Sequence, residues 1–274
     1  AMPDVTHAWA AGDGGTVVST ADGGATWAVQ NSGTVQNLRG IAAADAAHAW
    51  AVGDGGTIVS TADGGATWTS QPSNTGHDLF AVAFSDTLHG WAAGAGGTIL
   101  STTDGGVTWV TQSSGVTIDL RGISAADATH VWAVGDGGTI VSTSDGGAGW
   151  TKQESGTTQD LAGVAVRGAL AWAVGAGGTI LGTQDAGRTW SVLASPNDND
   201  LAAVAFTDGR RGWVAGAAGT ILVSADAGAT WTVQTSDSEA DLHALVFADA
   251  HRGLAIGAGG VILATAAGGI ADTV

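Results

Sequence analysis

Apolar residues in this chain come in short runs of a few positions, each closed by a polar, glycine-rich break. The second repeat shows the pattern: LRGIAA at 38–43, AWAVG at 49–53 and IV at 58–59, with GDGG and STADGG between and after them. Runs this short, rich in Val, Ile and Trp and bounded by Gly, Asp and Ser, predict β-strands rather than helices. The stretch STADGGATW at 60–68 reads as the end of one strand, a tight turn and the start of the next. Asp63 is placed to accept backbone N–H groups inside that turn. Gly64 and Gly65 can take positive φ without a steric penalty. Trp68 then opens the next strand, where an indole buries roughly 150–250 Å² against a neighbour. One hairpin cannot bury that ring, whereas a stack of hairpins can.

The box recurs at 19–27, 101–109, 142–150, 182–190 and 223–231, with a degraded copy, ATAAGGIAD, at 264–272. A second set of positions, Trp9, Trp50, Trp91, Trp132, Trp172, Trp213 and Leu254, repeats every 40 or 41 residues. A fixed period near 40 with four short strands per unit predicts an all-β, seven-bladed β-propeller of four-stranded antiparallel blades, the box forming each c–d turn. One domain over 1–274 is expected. Strand a starts near Leu38, Leu79, Leu120, Leu161, Leu201 and Leu242, so the first blade lacks an inner strand of its own. The last blade has a degraded outer strand near 270–274, with Asp272 in the Trp slot. Ring closure therefore either leaves one blade with three good strands or re-uses the C-terminal segment as a patch.

Composition supports this reading and narrows the chemistry. The 46 glycines are periodic, which marks turns rather than disorder. There is no cysteine, hence no disulfide framework and no thiolate metal site. Net charge is −17, with 25 acidic and 8 basic residues, so nucleic acid and anionic lipid are repelled over most of the surface. No apolar stretch long enough to insert into a membrane is visible, and a monomer is expected. An export signal belongs upstream of Met2 if there is one, and an extracytoplasmic compartment (secreted, periplasmic or lumenal) is the expectation.

The box S/T-x-D-x-G-x-T-W is identified as the Asp-box, or bacterial neuraminidase repeat. The longer unit at Gly90–Trp109, GWAAGAGGTILSTTDGGVTW, resembles the seven-bladed photosystem II stability/assembly factor family. That resemblance implies a single non-enzymatic propeller that helps to assemble membrane protein complexes, and so a protein partner. Sialidases share the box, but they need a tyrosine nucleophile with a glutamate partner. This chain has no Tyr, and its only glutamates are Glu154 and Glu239. The alternative kept open is a carbohydrate-binding propeller, in which some of the twelve Trp would stack on sugar.

What recurs in every blade is needed by the blade; what varies is free to serve a ligand. By that rule the box residues Asp22, Asp63, Asp104, Asp145, Asp185 and Asp226 are turn-formers. His7, His48, His89 and His130, each two residues before a Trp, are structural and not metal ligands. The residues before the leading Leu, which are Asn37, Asp78, Asp119, Asp160, Asp200 and Asp241, read either as a carboxylate ring or as loop caps. The residue after that Leu varies: Arg39, Phe80, Arg121, Ala162, Ala202 and His243. Strand a is innermost in a propeller, so Arg39, Phe80, Arg121 and His243 at its start are the candidate binding site at the channel mouth. Arg39 and Arg121 have a competing role, neutralising the aspartates. No nucleophile–base pair, phosphate loop or cofactor motif is present, so no catalytic residue, cofactor or metal is expected.

Overall fold

The computed structural model describes residues 1–266 and the backbone of 272–273. Seven antiparallel sheets follow one another along the chain as a seven-bladed β-propeller. The second blade sets the pattern: strand a at Leu38–Ala43, b at Ala49–Gly53, c at Ile58–Thr61 and d at Thr69–Ser70. The first sheet has three strands, Ala8–Ala11, Val17–Thr20 and Ala28–Gln30, and the other six have four. Asp272–Thr273 pairs with Leu263 and Ala264, so this segment serves the last sheet. The turn of the degraded box at 267–271 lies outside the described residues.

The chain divides into two compact units, Ala1–Ala133 with Val141–Lys152, and Val134–Ile140 with Gln153–Val274. Inside each unit, neighbouring blades are joined by apolar clusters. In the first, Trp50, Val52 and Ile58 of blade two meet Leu79, Val82, Leu100 and Trp109 of blade three. In the second, Trp172, Val174 and Ile180 meet Leu201, Phe206, Leu222 and Trp231. The Trp of strand b is at most 2% exposed in all six copies. In three copies its ring stacks on a Phe that ends the next strand a, with centroids 3.6 Å apart for Trp50 on Phe84, 3.5 Å for Trp172 on Phe206 and 3.8 Å for Trp213 on Phe247. The indole N–H groups of Trp50, Trp91 and Trp172 donate to the next blade's box, to the Gly105 carbonyl at 2.8 Å, Gly146 at 3.2 Å and Ala227 at 2.8 Å, whereas those of Trp9 and Trp132 are buried without a protein partner. At Trp50, Trp91 and Trp172 the staple thus combines ring burial with a hydrogen bond in a dry site, where an unmade bond is costly.

The box is closed on itself. The hydroxyl of Thr61 donates to Asp63 Oδ1 at 2.8 Å and accepts the Gly65 N–H at 2.9 Å. Asp63 also takes the Thr67 N–H at 2.9 Å and the Thr67 hydroxyl at 2.6 Å. The other five boxes bond through the Asp in the same way, except that Gly149 replaces Thr in the fourth and offers only its N–H. The Thr67 hydroxyl bond leads the causes that pull the Asp63 carboxyl down to about 2. In blades five and six the first turn glycine is replaced by Ala186 and Ala227, which sit at φ 59° and 64°.

The a–b turns carry the histidines. In the second blade Asp45 accepts the N–H groups of Ala47 and His48, and His48 Nδ1 lies 2.9 Å from it. Asp86–His89 and Asp127–His130 repeat this, and Asp4–His7 adds a fourth copy. The fifth blade has no such Asp. Its strands at Leu161–Arg167 and Leu170–Gly175 are joined by a tighter turn, with Gly168 at φ 62°, which accounts for the one spacing of 40.

Candidate functional site

The leading Leu of strand a is buried in every copy, and in the strands that start at Leu38, Leu79, Leu161, Leu201 and Leu242 the residue after it is a β-bulge. In blade two, Leu38 pairs with Gly53 and Gly40 pairs with Val52, so Arg39 has no partner across the ladder. Phe80, Ala162, Ala202 and His243 occupy the same extra position in their strands. A bulge residue is released from the strand's alternation and its side chain is re-aimed. The ladder dictates a residue at this point without dictating its chemistry, which is why it varies while its neighbours do not.

The residues before the Leu are loop caps, but each caps the blade before its own. Asp78 Oδ1 accepts the Gly55 N–H at 2.8 Å, Asp119 accepts Gly96 at 3.0 Å, and Asn37 accepts Gly14 at 2.9 Å. Asp160, Asp200 and Asp241 do the same for Gly137, Gly177 and Ala218. The b–c turn also packs directly on the start of its own strand a: the Asp54 N–H donates to the Asn37 carbonyl at 3.0 Å, and a Cβ on Gly53 would stand 1.9 Å from that oxygen.

Within the first unit the structure brings Phe80 and Arg121 together, the guanidinium carbon lying 5.6 Å from the ring centroid, within cation–π range. Arg121 also stands 3.7 Å from Asp119. Arg39, one blade earlier, donates Nε and Nη2 to the two oxygens of Asp54 at 2.5 and 3.2 Å. Asn37 donates to Asp54 as well, at 2.9 Å. The Arg39 bond is the main reason the Asp54 carboxyl is held below its usual range, and the Arg39 guanidinium is correspondingly raised. Both arginine side chains remain 44% exposed, so they are paired yet accessible. His243 is exposed at the equivalent bulge in the second unit. Asp54 is the residue that sequence reasoning missed. The signal was an Arg in strand a with an Asp 15 residues later in the b–c turn, a spacing repeated by Arg121 and Asp136 and by no other blade.

None of the twelve Trp is exposed: the strand-b set is buried, and the box set is buried or half-buried. None of the indoles stands fully exposed, and the carbohydrate reading is not favoured. Among the described residues no group of three His, Cys, Asp or Glu gathers where a metal could be held.

The sequence pattern of the family described as Photosynthesis system II assembly factor YCF48 matches residues 114–198 and 193–266, more than half of the chain. The chain belongs to the YCF48 family. No curated protein sequence matches it. Among solved structures it is similar to YCF48 bound to D1 peptide, with 22% identity and a TM-score of 0.79 over 96% of this chain and 89% of the other. It is also similar to YCF48 from Cyanidioschyzon merolae, with 21% identity and a TM-score of 0.79 over 97% and 92%. The RRP9 WD40 repeats match at 8% identity with a TM-score of 0.69 over 84% and 76%. At these identities the structural matches speak for the fold alone, and the family assignment rests on the sequence pattern.

Proposed function

We propose that this chain is a non-catalytic assembly factor that holds a peptide segment of a protein partner on the face bearing Arg39, Phe80 and Arg121. The observation that carries the reading is the bulge: the position after the leading Leu is freed from the ladder in blades two and three, where it holds Arg39 and Phe80, and Arg121 follows the leading Leu of the next strand a. The Arg121–Phe80 pair offers a flat surface with N–H donors at its edge. Arg39 keeps donors to spare, since Asp54 engages Nε and Nη2 and a guanidinium has five N–H groups. Asp54, Asp78 and Asp119 surround these groups and repel a polyanion, so the fitting occupant is a peptide whose carbonyls and aromatic or amide side chains meet the patch. His243 is a candidate contact of its own. Family membership and the similar YCF48 structure that holds a D1 peptide support a protein partner, and the same reading carries an extracytoplasmic location, checked by fractionating the source cells.

The test is fluorescence anisotropy with a labelled D1 peptide and a panel of unrelated peptides. A D1 peptide that binds at least tenfold more weakly to Arg39→Ala/Arg121→Ala, with the melting temperature unchanged, is the expected result. Equal binding by that folded double variant overturns the site, and no preference for D1 over the panel overturns the partner.

A further inference from the structure

The second unit sorts its charges by end. Its basic residues apart from histidine are Arg167, Arg188, Arg210, Arg211 and Arg252, and all five fall in or beside the a–b turns and box corners of blades five, six and seven. The other end of the same unit, made of b–c turns and d–a loops, carries acidic residues such as Glu154, Asp200 and Asp241 and no Lys or Arg. The a–b turn and the box lie together because strands in a blade alternate in direction. In blade five the Ala186 N–H donates to the Ala169 carbonyl at 2.9 Å, and in blade six Ala227 donates to Arg210 at 2.9 Å. Neighbouring blades meet here too. A Cβ on Gly209 would stand 3.3 Å from Leu170 Cδ1, and Trp213, just after Arg211, stacks on Phe247, just before the turn that holds Arg252.

Two of these arginines replace a residue whose bonding is complete in the first unit. His48 and His89 stand two residues before the strand-b Trp, each with Nδ1 2.9 Å from the Asp of its turn. Arg211 and Arg252 take that slot in blades six and seven, preceded by Arg210 and His251. There the Asp is engaged by the backbone: Asp208 accepts the N–H groups of Arg210 and Arg211 at 2.7 Å each, and Asp249 those of His251 and Arg252 at 2.7 and 2.8 Å. These backbone bonds, ahead of the arginine charges, hold both carboxyls below their usual range. Asp185, beside Arg188, is filled in the same way by its own box. Among the described residues the guanidinium groups of Arg188, Arg210, Arg211 and Arg252 make no ion pair, and all four side chains are exposed. Four forks of five N–H donors each thus face solvent at one end of a unit, on a chain of net charge −17.

We propose that the a–b turns and box corners of blades five to seven dock an acidic segment of a protein partner, its side-chain carboxylates held by Arg188, Arg210, Arg211 and Arg252. A guanidinium fork matches a carboxylate bidentately. The occupant is a peptide rather than a lipid sheet or a nucleic-acid duplex because Asp185, Asp208, Asp226 and Asp249 lie in the same turns. A continuous array of phosphates meets those aspartates as well, and like charges brought together oppose binding. A flexible segment can set single carboxylates beside the arginines. This surface shares no residue with the Arg39–Phe80–Arg121 face and does not depend on peptide binding there.

The test is fluorescence anisotropy on the full chain with a labelled peptide of alternating Glu and Ser, at low salt. The wild type is expected to bind it saturably, at least tenfold more tightly than the same peptide with Gln for Glu, and more weakly as salt rises. Arg211→His/Arg252→His rebuilds the slot of blades two to four. At about pH 8, where imidazole is neutral, it should weaken binding at least tenfold with the melting temperature unchanged. Arg188→Gln/Arg210→Gln, with the same expected loss, serves if the first variant unfolds. Arg39→Ala/Arg121→Ala should bind the acidic peptide as the wild type does, which separates this result from the one with the D1 peptide. Absence of saturable binding by the wild type overturns the proposal, as does equal binding of the Gln peptide, unchanged binding in a folded variant of the turns, or loss of binding in the Arg39/Arg121 variant. Co-sedimentation with phosphatidylglycerol vesicles that the turn variants abolish, without binding of the peptide, overturns it in favour of a lipid surface.

Discussion

The Asp-box corner and the start of strand a are both repeated six times, yet they end differently. In the corner, the Asp takes its bonds from Thr, Ser or Gly groups of the same turn, and the residue identities hardly change from copy to copy. At the start of strand a, the backbone is just as constant: a buried Leu, a bulge and a cap on the preceding blade. The bulge side chain, however, runs through Arg, Phe, Ala and His. Constancy marks groups whose bonding is completed within the blade. Variation marks the position where the ladder asks for a residue but not for a chemistry.

The largest expected effect comes from the staple that ends at the corner. Trp50→Ala removes a ring stacked on Phe84 and the hydrogen bond to the Gly105 carbonyl. Deleting a buried aromatic costs about 3–5 kcal/mol, and urea unfolding measures it. A loss below about 1 kcal/mol would mean that the corner is not held as described.

Acid titration is the next test. The Asp22, Asp63 and Asp185 carboxyls lie at about 2 in the folded chain, held there chiefly by the hydroxyls of Thr26, Thr67 and Thr189. An unfolded Asp titrates near 3.9, roughly. A carboxyl depressed by folding stabilises the fold fully above its unfolded value and loses that contribution as pH falls towards the folded one. The melting temperature is therefore expected to drop between about pH 4 and pH 2, and Asp63→Asn should flatten part of that drop. An identical slope in the variant would show that this box does not carry the pH dependence.

Blades five and six offer a change in the opposite direction. Ala186 and Ala227 hold positive φ where the earlier boxes have glycine. A non-glycine residue there costs on the order of 1 kcal/mol or more, against a smaller entropic penalty for introducing glycine. Ala186→Gly is expected to raise stability by about 0.5–1 kcal/mol, read from the urea midpoint at constant m-value. A decrease would show that the turn is relaxed as it stands.

These cases also show what was legible beforehand. Glycine, Asp and Trp periodicity carried the blades, because turn geometry and ring burial are local demands that each repeat restates. The bulge was visible only as a variable position after each Leu, since a register shift appears when two strands are laid side by side. The acceptor for Arg39 was hidden for a related reason: Asp54 sits 15 residues away in a turn that looked like a hairpin filler. The caps were expected to serve their own loops and instead hold the preceding blade, a relation between blades that one repeat read alone does not contain.

The smallest expected effect on stability is the one that separates the two regions most sharply. Arg39 makes a bidentate pair with Asp54, which on a contact list looks stronger than any single bond in the box. Its side chain is 44% exposed, and water screens such a pair; exposed ion pairs contribute about 0–1 kcal/mol. Arg39→Ala also leaves Asp54 with the Asn37 amide as a donor and with access to solvent, so no buried charge is stranded. The expected loss is therefore about 0.5 kcal/mol or less. Arg39→Lys sharpens the point, because it retains the charge and loses the fork that meets both carboxylate oxygens. If the position serves binding, Lys should be near wild type in urea midpoint while peptide anisotropy still weakens. If Arg39→Ala instead costs as much as an internal box contact, the bulge is part of the scaffold, and the contrast between constant corner and free bulge fails at this residue.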